Sequence, residues 1–432
     1  ALKEAVNEFD EVVVVGRDTQ RKVSVVGAIT NVDPAGIQAP AVSVSNMLGG
    51  RVPGIIAVTR SGEPGNNFSE FWIRGMSTFG ASSSALVLID GIEGNINDLD
   101  PADIESFSIL KDASATAVYG TRGANGVVVV TTKRGKAGKL HVNFKTNATY
   151  SYSPRMPEYA DAYQYATLAN EARSVRGDDP VYSATELELF KTGLDPDLYP
   201  NVNWRDVILK DHVINNQHHL SISGGGQSAR YYMSLGILNS EALFKQDKSA
   251  SKHDVNVNYH KYNFRTNIDA DLTKTTLLSL NLEAVIKTQN APGTGSSNKY
   301  LWESQANLPP TVVPVRYSNG QLPAYGTNLE DKSPYVRLNY MGYTTNETYS
   351  TKINVGLSQD LGIITDGLSV RGLFSFSMNG AHIVDRHMNP EQYYADPKDG
   401  RYLDGSLKTV RTVNKEDMTA IQASASNREL YF

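Results

Sequence analysis

Three histidines, a few loop carboxylates and one glycine series are the places where this sequence could carry chemistry. His212, His218 and His219 lie close together, but the alternating segment Gln217-Gly224 turns His218 and His219 to opposite faces of a strand. They cannot chelate one ion together, and no His-x-x-x-His pair or second cluster joins them. Cysteine is absent, which removes disulfides and thiolate-bound metals. Asp178, Asp179, Asp396 and Asp399 are carboxylates of the kind that holds Ca²⁺ weakly, without a loop motif around them. Gly120-x-x-Gly123-x-x-Gly126 lacks the Lys-Ser/Thr end of a phosphate loop, and the apolar run Val127-Val130 follows the glycines instead of preceding them. No carboxylate pair has an acid–base setting. The reading is of a protein that is not an enzyme and needs no cofactor.

The elements that must position these residues have a period of two. In Leu140-Tyr152, Leu140, Val142, Phe144, Ala148, Tyr150 and Tyr152 share one side, and His141, Asn143, Lys145, Asn147, Thr149 and Ser151 the other. Tyr262-Leu272 and Leu278-Ile286 repeat the pattern, and further segments fall at 217–224, 230–238, 352–361, 368–379 and, more weakly, 420–432. Strands with two unlike faces follow. Connections alternate between short (224–229, 273–276, 362–367) and long (153–213, 239–261, 288–346, 380–417). A soluble sandwich would also have two-faced strands, but loops this long count against a compact soluble domain and match the periplasmic turns and extracellular loops of an outer-membrane barrel.

Composition agrees. The chain has 432 residues and a net charge of −5, so nothing indicates a nucleic-acid partner. No apolar run approaches the ~20 residues of a membrane helix, and a mean hydropathy of −0.35 is compatible with barrel strands that show lipid only every second side chain. Tyrosine, at 23, outnumbers phenylalanine and tryptophan combined, which suits rings with one apolar and one wet side. The count of about eight strands is too small to enclose a separate N-terminal domain, because a plugged lumen needs about 22. The expectation is an N-terminal part of a longer protein.

Ordered motifs then give a resemblance. Phe9-Asp-Glu-Val-Val-Val-Val-Gly16, Leu48-Gly-Gly-Arg-Val-Pro-Gly54, Ser61-Gly-Glu-Pro-Gly65, Trp72-Ile-Arg-Gly75, Leu86-Val-Leu-Ile-Asp-Gly91, Leu110-Lys-Asp-Ala-Ser-Ala115, Arg122-Gly-Ala-Asn-Gly126 and Thr131-Thr-Lys-Arg-Gly135 together resemble the plug of SusC/RagA-family TonB-dependent transporters. The family usually has Gly-Tyr-Gly after the valines, where this chain has Gly16-Arg17-Asp18, and Trp72 replaces a commoner Ile or Arg. The implied fold class is membrane β: an N-terminal α+β plug domain inside a large, about 22-stranded barrel. The implied domains are a periplasmic arm (1–22), the plug (23–138) and the first part of the barrel (139–432).

The resemblance also implies roles. Glu11, Val12, Val13, Val14, Val15 and Gly16 would form the TonB box, a β-prone segment that adds itself as a strand to the TonB C-terminal domain. On sequence physics alone, the same valines could be an ordinary first strand. Arg74, Asp90, Glu105 and Arg122, beside turns at Gly75 and Gly91, either latch plug to barrel by charge-assisted hydrogen bonds or hold the plug internally. Asp112 is expected to cap a helix through Ala113-Tyr119. Outward plug tips at 61–67, 78–84 and 93–98 offer Arg60, Glu63, Asn66, Asn67, Phe79, Glu93 and Asn95 to a substrate. The long loops add Trp204, Tyr300, Trp302, Tyr325, Tyr393 and Tyr394, each of which could equally pack a loop or sit in an interface girdle. The implied activity is energised import through the outer membrane, with a SusD-like surface lipoprotein as lid. Aromatic faces beside Asn and Asp suit oligosaccharides first and oligopeptides second. A surface-binding barrel without transport and a passive porin are the rival readings.

Overall fold

The computed structural model describes residues 12–15, 18–21, 29–32, 43–73, 75, 84–111, 116–293 and 299–432. Its first strands are β1 (Val12–Val15), β2 (Asp18–Arg21), β3 (Ile29–Val32), β4 (Ile55–Thr59), β5 (Ser69–Ile73), β6 (Leu86–Ile89), β7 (Ile92–Glu93), β8 (Ile104–Leu110) and β9 (Val127–Thr132). β1 and β2 form a separate antiparallel hairpin. A mixed five-stranded sheet has the order β3-β8-β9-β6-β7, and β4 pairs with β5 beside it. β9 lies parallel to β6 and antiparallel to β8. It is covered on both faces, which is why Val127-Val130 is a continuous apolar run and not an alternating one. One face packs with Val44, Leu48, Phe107 and Ile109; the other packs with Leu86, Leu88 and Leu110.

From Pro101 to Lys136 the sequence reads as a polar, capped start into a short helix, a glycine-punctuated turn and the apolar run Val127-Val130, and the structure differs from this in one respect. Asp100 does cap a turn, accepting from Ala102 N at 2.9 Å, but that turn is a short 3-10 segment, Pro101–Asp103, and the chain then enters strand β8. A register shift between Ile104 and Ser106 breaks the period of two in β8, so its sequence does not alternate. Thr116 and the 3-10 segment Ala117–Gly123 follow. Asp112 and its expected cap lie outside the described residues, as do Glu11, Gly16, Arg74 and Phe79.

The second unit is an eight-stranded antiparallel sheet with strands in chain order. It comprises β10 (Gly138–Tyr152), β11 (His212–Gly225), β12 (Ala229–Glu241), β13 (Asn258–Asp271) and β14 (Thr276–Pro292), with a small loop ladder of β15 (Ala324–Tyr325) and β16 (Asp331–Lys332) before β17 (Gly342–Asp360). β18 (Ser369–Asn389), a second loop hairpin of β19 (Gln392–Tyr394) and β20 (Val410–Val413), and β21 (Glu416–Tyr431) complete it. The wall strands run 13 to 21 residues, beyond the ~9–11 that cross a bilayer. All eight alternating segments are strands, and their connections alternate short and long as the sequence indicates.

The two faces of this sheet are chemically inverted relative to a soluble protein. Leu140 is 59% exposed on the outer face, together with Val142, Phe144, Tyr150, Leu235, Tyr262, Phe264 and Ile286. The inner face buries His219, Ser234, Lys261, Asn263, Arg265, Asn267, Asp269 and Asn281. No helix among the described residues is long and apolar enough to cross a membrane. The strands themselves carry the apolar band. Gly135, where the plug chain turns onto the wall, lies so close to the Tyr231 backbone that a Cβ would collide with it.

The long loops form their own apolar layer. Trp204 packs with Leu308, Val313, Tyr335 and Val336, and Phe244 with Ile208, Leu301 and Leu338. Arg401 holds Asp195 in a two-point contact (Nε to Oδ2 2.9 Å, a terminal nitrogen to Oδ1 2.5 Å) and reaches Asp197 at 3.2 Å. That contact draws Asp195 below the ordinary carboxylate range.

Candidate functional site

The buried polar face of the wall grips one segment of the plug, Glu93 to Asp103. The β6–β7 connection is an Asp90-Gly91 turn with φ of 50° and 88°, the left-handed pair that a two-residue hairpin requires. It sets the following chain against the wall. Lys352 Nζ donates to Glu93 O at 2.6 Å, and Lys261 Nζ donates to Asn97 O at 2.5 Å and Leu99 O at 3.2 Å. Asn263 donates to Asp98 O, and Lys287 pairs with the Asp98 carboxylate. Gln217 Nε2 donates to Asp100 Oδ2 at 3.3 Å.

Asp103 is the deepest of these contacts. His219 Nε2 and the Tyr232 hydroxyl both donate to its Oδ1 at 2.8 Å, and Arg265 approaches its Oδ2 at 4.0 Å. Burial pushes the Asp103 carboxyl up, but the His219 hydrogen bond and the His219 and Arg265 charges outweigh it and hold the group below its ordinary range. Asp100 goes the other way, raised by burial first and by the Asp103 charge second. Arg265 also pairs with Glu283 at 2.5 Å and lies 3.7 Å from Asp90. Arg134 completes the row with Asp269 at 2.7 Å and Asn281 at 3.1 Å. Charge-assisted bonds in a dry interface are strong and directional, so this row fixes where the plug sits. It presents no activated nucleophile, and no group of three or more metal-ligating side chains occurs among the described residues.

Of the four charges offered as latches, Asp90 faces the wall through Arg265 while accepting from Thr132 N at 2.9 Å and Thr132 Oγ1 at 2.6 Å. Arg122 pairs with Glu93 and Glu105 with Lys136 at 3.8 Å, both within the N-terminal unit. Gly75 and Gly91 adopt positive φ. The residues that reach across, Asp98, Asp100, Asp103 and Arg134, were missed because their partners lie more than 100 positions away. Asp103 and Glu105 stand two positions apart in Asp103-Ile-Glu105, and nothing local distinguishes them.

At the long-loop end of the wall lies a cavity of about 990 Å³. The plug turn 61–67 forms its floor. Its sides are the outward ends of β10, β11, β12, β14, β17 and β18, and Trp302 stands over it. Glu63, Asn66, Asn67 and Trp302 of the sequence candidates line it. Asn95 lines a separate cavity of about 340 Å³ beside Glu70 and Trp72. Arg60 is paired with Glu70 at 2.8 Å, Glu93 with Arg122, and Tyr325 packs in the loop layer and donates to Lys332 O at 3.4 Å. These three do not line the large cavity. Trp204 is buried and Tyr393 packs against Leu198 and Tyr317 in the loops. Sequence reasoning missed Asn215, Glu241, Gln289, Asn346 and Asp385, which line the cavity from strands. Extending the inner-face period to the outward strand ends would have found most of them.

Residues 21–127 match the TonB-dependent Receptor Plug Domain. The chain is 33% identical over 310 residues to TonB-dependent receptor P39 of Formosa agariphila, covering 71% of this chain and 28% of that protein. It is 32% identical over 257 residues to TonB-dependent receptor SusC of Bacteroides thetaiotaomicron, covering 56% and 24% respectively. The chain thus spans about a quarter of the length of the curated relatives it matches. In fold it is similar to the RagAB peptide importer in its open-open state, with a TM-score of 0.69, 22% identity, and coverage of 88% of this chain and 44% of that one. With an apolar-out, polar-in wall closed against a plug and relatives of this kind, the chain belongs to the SusC/RagA family of TonB-dependent outer-membrane receptors, of which it carries the plug and part of the β-barrel.

Proposed function

We propose that this chain serves the energised import of a nutrient oligomer through the outer membrane. The observation that carries the reading is the 990 Å³ chamber built jointly by plug turn 61–67 and the wall. A ligand there touches the part that must move and the part that must stay, so occupancy can be felt by both. Occupancy would free the arm at 11–16 to pair with the TonB C-terminal domain, and pulling on the arm would remodel the plug. The long-loop layer would receive a SusD-like lipoprotein as lid. The proton gradient of the inner membrane would supply the energy, so no nucleotide site is required. The cargo we favour is a glycan fragment, since Trp302 offers an apolar ring beside Asn and Ser lining, with an oligopeptide as the second reading because a peptide backbone also uses such groups.

Deleting residues 11–16 in the intact transporter should abolish uptake and leave surface binding in place. Unchanged uptake would sink the mechanism and favour a passive porin, whereas binding with no uptake even in the parent would favour a binding barrel without transport. Calorimetry with defined glycans and peptides separates the two cargo classes.

A further inference from the structure

The part of the chamber lining that this chain supplies is one-sided in charge. Among the described residues it contains Glu63, Glu241 and Asp385 and no lysine, arginine or histidine. Glu241 is neutralised from outside the lining by Lys210 at 2.5 Å. Glu63 and Asp385 have no basic partner among the described residues: Glu63 accepts from Asn66 Nδ2 at 3.1 Å, and Asp385 accepts from Thr344 Oγ1 at 3.0 Å. Arg386, next to Asp385 in sequence, is on the other strand face and stacks on Tyr343. Part of the amide donor capacity is engaged within the protein. Asn66, Asn215 and Gln289 each give an amide N–H to the protein, the last two to Ser151 Oγ and Pro64 O.

Two carboxylates without a basic partner repel a carboxylate or a sulfate. Hydroxyl groups fit the lining, because each can donate to a carboxylate or amide oxygen, and the partly exposed Trp302 ring, packed on Phe244 at 5.5 Å, can cover the C–H face of a sugar. We propose that this chamber selects an uncharged glycan and discriminates against uronate-containing or sulfated ones. The inference rests on the import reading above and narrows its cargo.

The test uses the intact transporter and a glycan panel in matched pairs of linkage and length: carboxyl-reduced against native galacturonan oligomers, and desulfated against sulfated galactan oligomers. A set of neutral, acidic and basic peptides is run alongside. The expected result is binding confined to neutral glycans, with acidic partners at least about ten-fold weaker at low salt and the gap closing as salt rises, because screening shortens the repulsion to ~10 Å at 0.1 M. In the E63Q/D385N double variant the ratio of neutral to acidic affinity should fall several-fold. An acidic glycan bound as well as its neutral partner overturns the charge inference. Binding of peptides alone, or of nothing in the panel, overturns the glycan assignment. In each of these cases uptake that still depends on residues 11–16 leaves the import reading standing, so the two fail separately.

Discussion

The plug and the wall bury opposite kinds of side chain. The plug hides Val44, Leu48, Phe107, Ile109, Val128 and Val130 from water, as a soluble domain does. The wall hides Lys261, Arg265, Asn267, Asp269 and His219 and shows Leu140, Phe144, Tyr262 and Phe264 to its surroundings. The difference lies in the solvent outside each unit. Lipid gives no penalty for exposed apolar surface, so the wall turns its apolar residues outward and keeps its polar ones for the plug. Two neighbouring residues condense the contrast: Phe264 is 41% exposed and Arg265 is 4% exposed. Each would be on the wrong side in the plug.

Substitutions can break this comparison in graded fashion. The largest effect is expected in the plug core. Val128→Asp places an unpaired carboxylate at a fully buried site and should cost more than about 4 kcal/mol, read as loss of the folded plug by limited proteolysis of the detergent-solubilised protein. Arg265→Leu comes next. It leaves Glu283, Asp90 and Asp103 buried without their common cation and should cost about 3–5 kcal/mol in thermal unfolding. A near-neutral result would mean that the plug is not fixed by this row of charges. Phe264→Asp on the outer face should cost about 2 kcal/mol or less, since lipid-facing charge is penalised by depth and acids less than bases, and Phe264→Leu should be close to neutral. If Phe264→Leu were as damaging as Arg265→Leu, the inverted faces would be refuted.

The smallest effect belongs to the loops, where ordinary aqueous rules return. Asp247 is drawn down to about 2 by hydrogen bonds from Ser249 and then from Tyr335. Its folded value lies below the unfolded one, so its stabilising contribution is complete above pH about 4 and is lost as the pH falls from there toward about 2. Exposure to solvent limits that contribution to below about 1 kcal/mol. Asp247→Asn should therefore lower the unfolding temperature slightly at pH 6, with the gap from the parent closing by pH about 2. A gap that persists at pH 2 would assign the effect to packing and not to charge.

The wall was legible because a period of two with unlike faces is a local property. Leu140-Tyr152 and Tyr262-Leu272 announce both the strand and its two environments within a dozen residues. β8 was not legible, because its register shift at Ile104 and Ser106 erases the alternation. The plug motifs led to the family without indicating which charges meet the wall. Asp103 and Glu105 are two positions apart and look equivalent in sequence, yet one is buried against His219 and the other is exposed beside Lys136. Glu63 and Asn67 were nominated from a turn, whereas Asn346 and Asp385 lay unnoticed in strands and line the same chamber.

By itself, the sequence determined the strands, their inward and outward faces, the alternation of short and long connections and the order of the plug motifs. All of these depend on neighbours within a few residues. Only the tertiary structure decided which plug carboxylates are gripped, which loops are tied together by Arg401, and that the outward chamber is acidic. Those properties depend on side chains that are more than a hundred positions apart in the chain and meet only when the plug docks on the wall.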